Sequence, residues 1–141
     1  MSQIRIEEEI AAPAERVWEL LGAFGGLEQW APGITSCKLE GSGIGALRRV
    51  AMGAMTIVER LESLDPAARR FSYSIAEGPL PLENYLATVS VSPAGAKACT
   101  VLWTARFDAG ALPAEAVRGM AQGIEGSYRG MLQGLRKKLG A

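Results

Sequence analysis

The chain has 141 residues, a length typical of one domain that buries roughly two-thirds of the surface its unfolded form exposes. Its 15 basic residues balance 15 acidic ones, which argues against nucleic acid or an anionic membrane as the main partner. No apolar run approaches the ~20 residues of a membrane span, and the N-terminus lacks the apolar region of a signal peptide. We therefore expect a cytoplasmic protein with one domain over residues 1–141 and no membrane insertion.

The composition also limits the available chemistry. The chain has no histidine, which removes Ser-His and Cys-His triads, histidine-ligated metals and the commonest general base. Two cysteines, Cys37 and Cys99, are too few for a disulfide framework or a metal cluster. We expect no metal and no cofactor, and any catalysis must use carboxylate, arginine, tyrosine or bound water.

The first third of the chain predicts one strand and one short helix. Residues 3–10 alternate apolar and charged side chains, as in a strand with one buried face. Pro13 suits the first turn of a helix, and the apolar residues of 17–24 give that helix an amphipathic pattern. Residues 25–33 form a turn-rich connection in which Trp30 is expected to pack over an edge of the core.

Six further strands follow at regular spacing, separated by short turns. A glycine-rich turn, residues 41–45, lacks the following helix that a phosphate-binding loop requires, so we reject that function for it. Strands joined by short turns are expected to form an antiparallel meander. The predicted strands are residues 34–40, 46–51, 55–64, 70–76, 82–92 and 99–109.

The last element is a long amphipathic helix over residues 113–139. Apolar side chains recur at steps of three and four and therefore share one flank of the helix. Such a helix needs a partner for this flank, and the natural partner is a sheet that curls around it. One sheet with one long helix is an α+β arrangement. The apolar flank consists of Val117, Met120, Ala121, Ile124, Tyr128, Met131, Leu132, Leu135 and Leu139.

Five glycines within this helix form a stripe of their own: Gly119, Gly123, Gly126, Gly130 and Gly134. Each costs up to ~1 kcal/mol relative to alanine. Close approach of a strand or of a second subunit would explain them. Drift in a chain with 17 glycines is the alternative that we prefer.

One arginine and one glutamate are predicted to share an apolar face of the sheet. The loop of residues 51–54 has an even number of residues, and in an antiparallel hairpin this parity places Arg48 on the same face as Ile57, Glu59 and Leu61. Buried charges are costly unless they are paired or hydrated, so they indicate a wet pocket. The alternative is a solvent-exposed face with an ordinary cross-strand pair, since alternation around Glu59 is poor.

Aromatic residues lie on the apolar faces of three other strands and of the helix. They are Tyr73, Tyr85, Trp103 and, on the helix, Tyr128. A buried tyrosine usually needs a partner for its hydroxyl, which a cavity with water or ligand supplies. These residues are alternatively core aromatics with backbone partners.

The run of residues 59–65, followed by 70–75, Asn84-Tyr85 and the terminal helix, resembles the START/Bet v 1-like (SRPBCC) superfamily. The resemblance covers essentially the whole chain and is strongest to the bacterial polyketide cyclase/dehydrase-like group and the plant abscisic-acid receptors. It implies a helix-grip fold, in which a seven-stranded antiparallel sheet wraps around the long C-terminal helix, with short helices after the first strand and a ligand cavity between sheet and helix.

The resemblance also assigns expectations to particular segments. Residues matching Arg48 and Glu59 line the cavity in that family, residues 51–54 match its gate hairpin and residues 78–82 match its latch. The latch has two prolines, which make it stiff. A lid that moves is possible on this basis but not required.

This chain departs from the hormone-receptor pattern at three positions. The position of the acid-anchoring lysine reads Thr35, and two polar cavity positions read Trp103 and Met131. A carboxylate ligand would therefore meet no cation except Arg48. We expect a smaller and more apolar pocket with a different ligand.

We predict binding or transport of a small hydrophobic ligand, with no nucleic acid partner and a monomer or homodimer as the assembly. The alternative is a cyclase or dehydratase acting on a polyketide-like substrate, with Glu59 as acid/base and Arg48 or Tyr85 stabilising an enolate oxygen. A protein-interaction module is the second alternative. The predicted ligand-binding residues are Trp30, Arg48, Ile57, Glu59, Tyr73, Leu80, Tyr85, Trp103, Ile124, Tyr128 and Met131.

Overall fold

The computed structural model describes residues 1–141 and contains seven strands and two α-helices. The strands agree with the predicted ones to within two residues at each end. The elements are β1 (Ser2–Ile10), α1 (Ala14–Leu21), a 3-10 turn (Leu27–Gln29), β2 (Ser36–Glu40), β3 (Leu47–Met52), β4 (Met55–Asp65), β5 (Arg70–Glu77), β6 (Glu83–Pro93), β7 (Cys99–Asp108) and α2 (Ala114–Leu139).

All seven strands form one antiparallel sheet in the order β1-β7-β6-β5-β4-β3-β2. Strands β2 to β7 follow the predicted meander, and β1 pairs with β7, with Ile6 opposite Trp103. The two short helical segments after β1 connect the two edges of this sheet. The predicted fold class, an α+β helix-grip fold with a seven-stranded sheet and a long C-terminal helix, is confirmed.

Helix α2 lies across the sheet and is fastened to β1. Glu8 accepts hydrogen bonds from Arg129 and Arg136, each at 2.8 Å, and Arg136 also donates to the carbonyl of Glu9 at 2.8 Å. The helix begins after Pro113, and at its C-terminus the positive φ of Gly140 (69°) closes the last turn. The ion pairs therefore set the position of α2 from one edge of the sheet.

The apolar flank of α2 is not equally covered along its length. Leu132 and Leu135, in the C-terminal half, have no exposed surface and belong to the main core. Met120 and Ile124, in the N-terminal half, are only partly buried. The sheet thus packs firmly against one half of the helix and leaves a space beside the other half.

The atoms that surround each glycine of the stripe show which glycines are required by close packing. A Cβ atom at Gly134 would collide with the carbonyl oxygen of Trp30 and would lie 2.6 Å from Cδ of Pro32. A Cβ atom at any of the other four glycines would meet no atom within 4 Å. Close approach therefore explains only Gly134, and the neighbour is the 30–32 segment, neither a strand nor a second subunit.

Neither helix combines the length and the apolar character needed to cross a membrane. Cys37 and Cys99 are both free thiols.

Candidate ligand-binding cavity

A cavity of about 360 Å³ lies between the sheet and the part of α2 from Met120 to Met131. Its wall consists of 18 residues, 14 of them hydrophobic. Strands β3, β4, β5 and β6 supply one side, α2 supplies the other, and the segment around Leu80 contributes from the loop before β6. The cavity occupies the space that the partly covered half of α2 leaves open.

Nine of the eleven residues that the sequence predicts as ligand-binding lie on this wall: Arg48, Ile57, Glu59, Tyr73, Leu80, Tyr85, Ile124, Tyr128 and Met131. Trp103 does not, because it lies behind Tyr128, with the two rings stacked at 4.4 Å between centroids. Trp30 does not either, because it is buried beside Gly134 where α2 approaches the 30–32 segment. A role of these residues in ligand binding stays a prediction.

Arg48 and Glu59 form an ion pair on the cavity wall. They are opposite each other in the β3–β4 register, and Nε of Arg48 donates to Oε1 of Glu59 at 2.7 Å. Their side chains are 3% and 14% exposed, so the alternative of a surface pair is excluded. The poor alternation near Glu59 has a structural cause, since the register of β4 against β5 shifts between Val58 and Glu59.

The guanidinium of Arg48 is held by two hydrogen bonds and by two aromatic rings. Its Nη1 donates to the carbonyl of Phe24 at 2.9 Å, and its Cζ lies 4.2 Å from the ring centroid of Phe24 and 4.7 Å from that of Tyr73. Burial, the largest single effect, would lower the pKa of Arg48, but the charge and hydrogen bond of Glu59, with a smaller contribution from Tyr73, together outweigh it and raise this pKa. Arg48 is therefore a fixed, permanently charged group whose partner is already in place.

Three tyrosines form the remaining polar part of the wall. The hydroxyls of Tyr85 and Tyr128 are hydrogen-bonded to each other. Burial, and secondarily the charge of Glu59, raises the pKa of Tyr73 to about 12. Burial likewise raises the pKa values of Tyr85 and Tyr128. All three hydroxyls therefore keep their protons at neutral pH and act as hydrogen-bond donors.

Next to this cluster, Nε1 of Trp103 is buried without a hydrogen-bond partner. Trp103 is only 2% exposed, so bulk solvent cannot serve as that partner. A buried donor without a partner carries a desolvation cost. Trp103 thus places an indole N–H behind the cavity wall.

Four of the five methionines line the cavity: Met52, Met55, Met120 and Met131. The first two are paired at the tip of the β3–β4 hairpin, and the last two lie on α2. Only Met131 was predicted. The turn of two residues between Met52 and Met55 is the signal that identifies this pair, because it places both side chains on the same face.

The segments matching the gate and the latch contribute to the same wall. Met52 and Met55 flank the turn at 53–54, and Leu80 comes from the 78–82 segment. Movement of either segment stays a prediction. Thr35 lies outside the wall: its side chain is exposed and its hydroxyl donates to the carbonyl of Ala51 at 3.2 Å.

No group of three or more cysteine or carboxylate side chains is arranged to hold a metal ion. The site can bind an apolar molecule by burial, donate neutral hydrogen bonds from tyrosine, and offer one carboxylate that is paired with arginine. A seven-stranded sheet around a C-terminal helix, with an internal cavity of this kind, defines the protein as a helix-grip protein.

Comparison of the sequence with protein families matches residues 1–140 to the family described as polyketide cyclase/dehydrase and lipid transport. The chain belongs to this family. The predicted resemblance to the SRPBCC superfamily is thereby confirmed.

Individual relatives include both sequences and solved structures. The chain is 34% identical over 93 residues to abscisic acid receptor PYL2 of Arabidopsis thaliana; the match covers 62% of this chain and 49%, about half, of that receptor. A solution structure from Thermobifida fusca is 34% identical with a TM-score of 0.87, covering 99% of this chain and 94% of that one. The Zhui aromatase/cyclase from Streptomyces sp. R1128 (21% identical, TM-score 0.81, coverage 97% and 92%) shares the fold.

Proposed function

We propose that this protein binds, and by binding carries or senses, a small and largely apolar molecule in the cavity between the sheet and α2. The observation that carries the proposal is the cavity itself, with 14 hydrophobic residues among the 18 on its wall. Its volume of about 360 Å³ lies at the lower end of the range usual for small-molecule sites. The name of PYL2 as a receptor of a small molecule supports the same conclusion.

The energetic basis of binding is removal of apolar surface from water. The wall offers aliphatic and methionine side chains on both sides of the space, so a ligand that fills it loses contact with water over most of its surface. Methionine is flexible and polarisable, and it adapts its shape to the ligand. The few polar groups then determine the orientation of the ligand.

Two matched variants on α2 test this proposal. Gly123 lines the cavity and Gly126 does not, yet a Cβ atom at either position meets no atom within 4 Å. Gly123→Phe is expected to place a ring in the cavity and to abolish binding of apolar ligands, whereas Gly126→Phe leaves it intact. Native mass spectrometry detects co-purifying hydrophobic molecules, and calorimetric titration with added ones measures affinity. Equal ligand occupancy in both variants, or no apolar ligand for any form, would contradict the proposal.

An enzyme is the second candidate, because one atom of the site is suited to proton transfer. Oε2 of Glu59 accepts no hydrogen bond from the protein, although Oε1 is bound to Arg48. A carboxylate oxygen of this kind at an apolar cavity serves as a general base, and Tyr85 would donate to a developing enolate oxygen. The family description, polyketide cyclase/dehydrase, supports this candidate.

The variant Glu59→Gln separates the two candidates. For a carrier, ligand affinity stays largely unchanged in this variant. For an acid/base enzyme, turnover of a poly-β-keto thioester is lost while binding of the same compound is retained.

A further inference from the structure

The charges on the cavity wall cancel within a single pair. Arg48 and Glu59 are the only wall residues with full charges at neutral pH, and they contact each other at 2.7 Å. The wall therefore has no net charge. A bound anion would find no cation that is free of a partner.

Arg48 is also prevented from turning toward a ligand. Its Nη1 donates to the carbonyl of Phe24, and its plane lies against the rings of Phe24 and Tyr73. Paired hydrogen bonds to a carboxylate use two guanidinium nitrogens, and two of the three, Nε and Nη1, already donate to Glu59 and to the carbonyl of Phe24, so a carboxylate would compete with one of these partners. Displacing either partner is unfavourable, because it would leave a buried carboxylate or a buried carbonyl without its hydrogen bond.

An anionic ligand would also lie close to Glu59. In a cavity of about 360 Å³ whose wall includes Glu59, a bound charge shares a small space with this carboxylate. At close range the repulsion from Glu59 is offset by the attraction to Arg48, so the pair gives a carboxylate no net attraction to replace its lost hydration. The cavity therefore disfavours carboxylates.

The remaining polar groups suit a neutral oxygen. Tyr85 and Tyr128 share one hydrogen bond, which uses one of their two O–H donors and leaves the other available. Tyr73 also lines the cavity and adds a third O–H group. The cluster thus offers an O–H donor that the Tyr85–Tyr128 hydrogen bond does not use, so the complementary ligand group is an acceptor such as a carbonyl.

We infer that the cavity selects neutral ligands with a carbonyl oxygen over carboxylates of the same shape, the carbonyl being bound at the cluster of Tyr73, Tyr85 and Tyr128. This inference rests on the proposed function, because it names the chemical class of ligand for the same cavity. It also separates this protein from one that would anchor an acid through a lysine or a free arginine.

Two probes of nearly identical shape test the inference. 2-Acetylnaphthalene and 2-naphthoate have the same ring system and differ by a methyl group in place of a charged oxygen. Calorimetric titration of the wild-type protein at neutral pH is expected to show the ketone binding at least about tenfold more tightly than the carboxylate. Equal affinities, or tighter binding of 2-naphthoate, would overturn the inference while leaving the proposed function intact. Failure of both probes to bind would overturn the proposed function as well.

Three variants locate the origin of the preference. Glu59→Gln removes the negative charge and is expected to raise the affinity for 2-naphthoate, whereas Glu62→Gln, on the same strand but outside the cavity wall, leaves both affinities unchanged. Tyr85→Phe is expected to weaken binding of 2-acetylnaphthalene by about fivefold or more. The affinity for naphthalene, which has no oxygen, is expected to stay the same. Tyr85→Phe keeps the ion pair, so it tests the inference even if Glu59→Gln unfolds. Unchanged ketone affinity in Tyr85→Phe would place the carbonyl elsewhere.

Discussion

Substitution of alanine at two glycines of α2 is predicted to change stability in opposite directions. At Gly126 a Cβ atom meets nothing within 4 Å, so alanine gains helix propensity without a clash. The expected stabilisation is up to ~1 kcal/mol. At Gly134 the same gain is opposed by the carbonyl oxygen of Trp30 and by Cδ of Pro32, which would lie 2.6 Å from the new atom. Backbone atoms cannot rotate away as a flexible side chain does.

The magnitude of the opposing effect follows from typical costs of overpacking. Inserting a carbon into a tightly packed site costs about 1–3 kcal/mol. Set against the propensity gain of ~1 kcal/mol, this predicts that Gly134→Ala is net destabilising by up to about 2 kcal/mol. The two variants are therefore expected to differ by about 1–3 kcal/mol in the free energy of unfolding.

Urea denaturation followed by circular dichroism measures this difference, and thermal denaturation gives a second estimate. A change of 1 kcal/mol corresponds to about 3–4 °C in Tm for a chain of this size. Gly119→Ala is a further control, since this position also meets no atom within 4 Å. Stabilisation of similar size in all three variants would refute the close approach of the 30–32 segment to α2.

Two further predictions concern the attachment of α2 and the buried tyrosines. Glu8→Ala is expected to cost about 1–3 kcal/mol in urea denaturation, because Glu8 is only 16% exposed and its loss removes the carboxylate that Arg129 and Arg136 share. Glu125→Ala, which breaks an exposed pair with Arg129, is expected to cost no more than about 0.5 kcal/mol, and equal losses would contradict this attachment. Raising the pH is expected to destabilise the fold from about pH 10 to about pH 12, because the unfolded state releases the tyrosine proton near 10 while the pKa of Tyr73 is raised to about 12. The loss in the free energy of unfolding amounts to up to about 3 kcal/mol from Tyr73 alone, and it should be smaller in Tyr73→Phe. A stability that does not change between pH 10 and pH 12 would show that the ring of Tyr73 is not buried.

The sequence predicts the fold well because its local signals agree with one another. Alternation in the strands, short turns and one long amphipathic helix leave few arrangements, and the strand ends agree to within two residues. The partner of β1 is not encoded locally. The pairing of Ile6 with Trp103 joins residues that are far apart in the chain, and only the assembled sheet determines it.

The candidate site is predicted in part, for reasons that differ between residues. The face shared by Arg48 and Glu59 follows from the parity of a short hairpin, a local rule that the register confirms. The irregular alternation beside Glu59 results from a shift in the pairing with β5, which depends on a strand further along the chain. Local patterns cannot reveal such a shift.

Two of the three tryptophans, Trp30 and Trp103, show where patterns fail. Trp103 is on the inner face of β7, as predicted, yet the ring of Tyr128 covers it. Trp30 is buried as predicted, yet it lies beside Gly134 and away from the cavity. A pattern assigns a face of the sheet or helix, whereas access to a cavity depends on which side chain lies in front of another.

Methionine methyl NMR tests the central claim most directly, because four of the five methionines line the cavity and Met1 does not. Protein labelled with ¹³C at the methionine methyl groups is titrated with 2-acetylnaphthalene. The signals of Met52, Met55, Met120 and Met131 are expected to shift together with one affinity, while that of Met1, which is 80% exposed, stays in place. If the ligand binds and the four signals do not move, the cavity between the sheet and α2 is not the binding site.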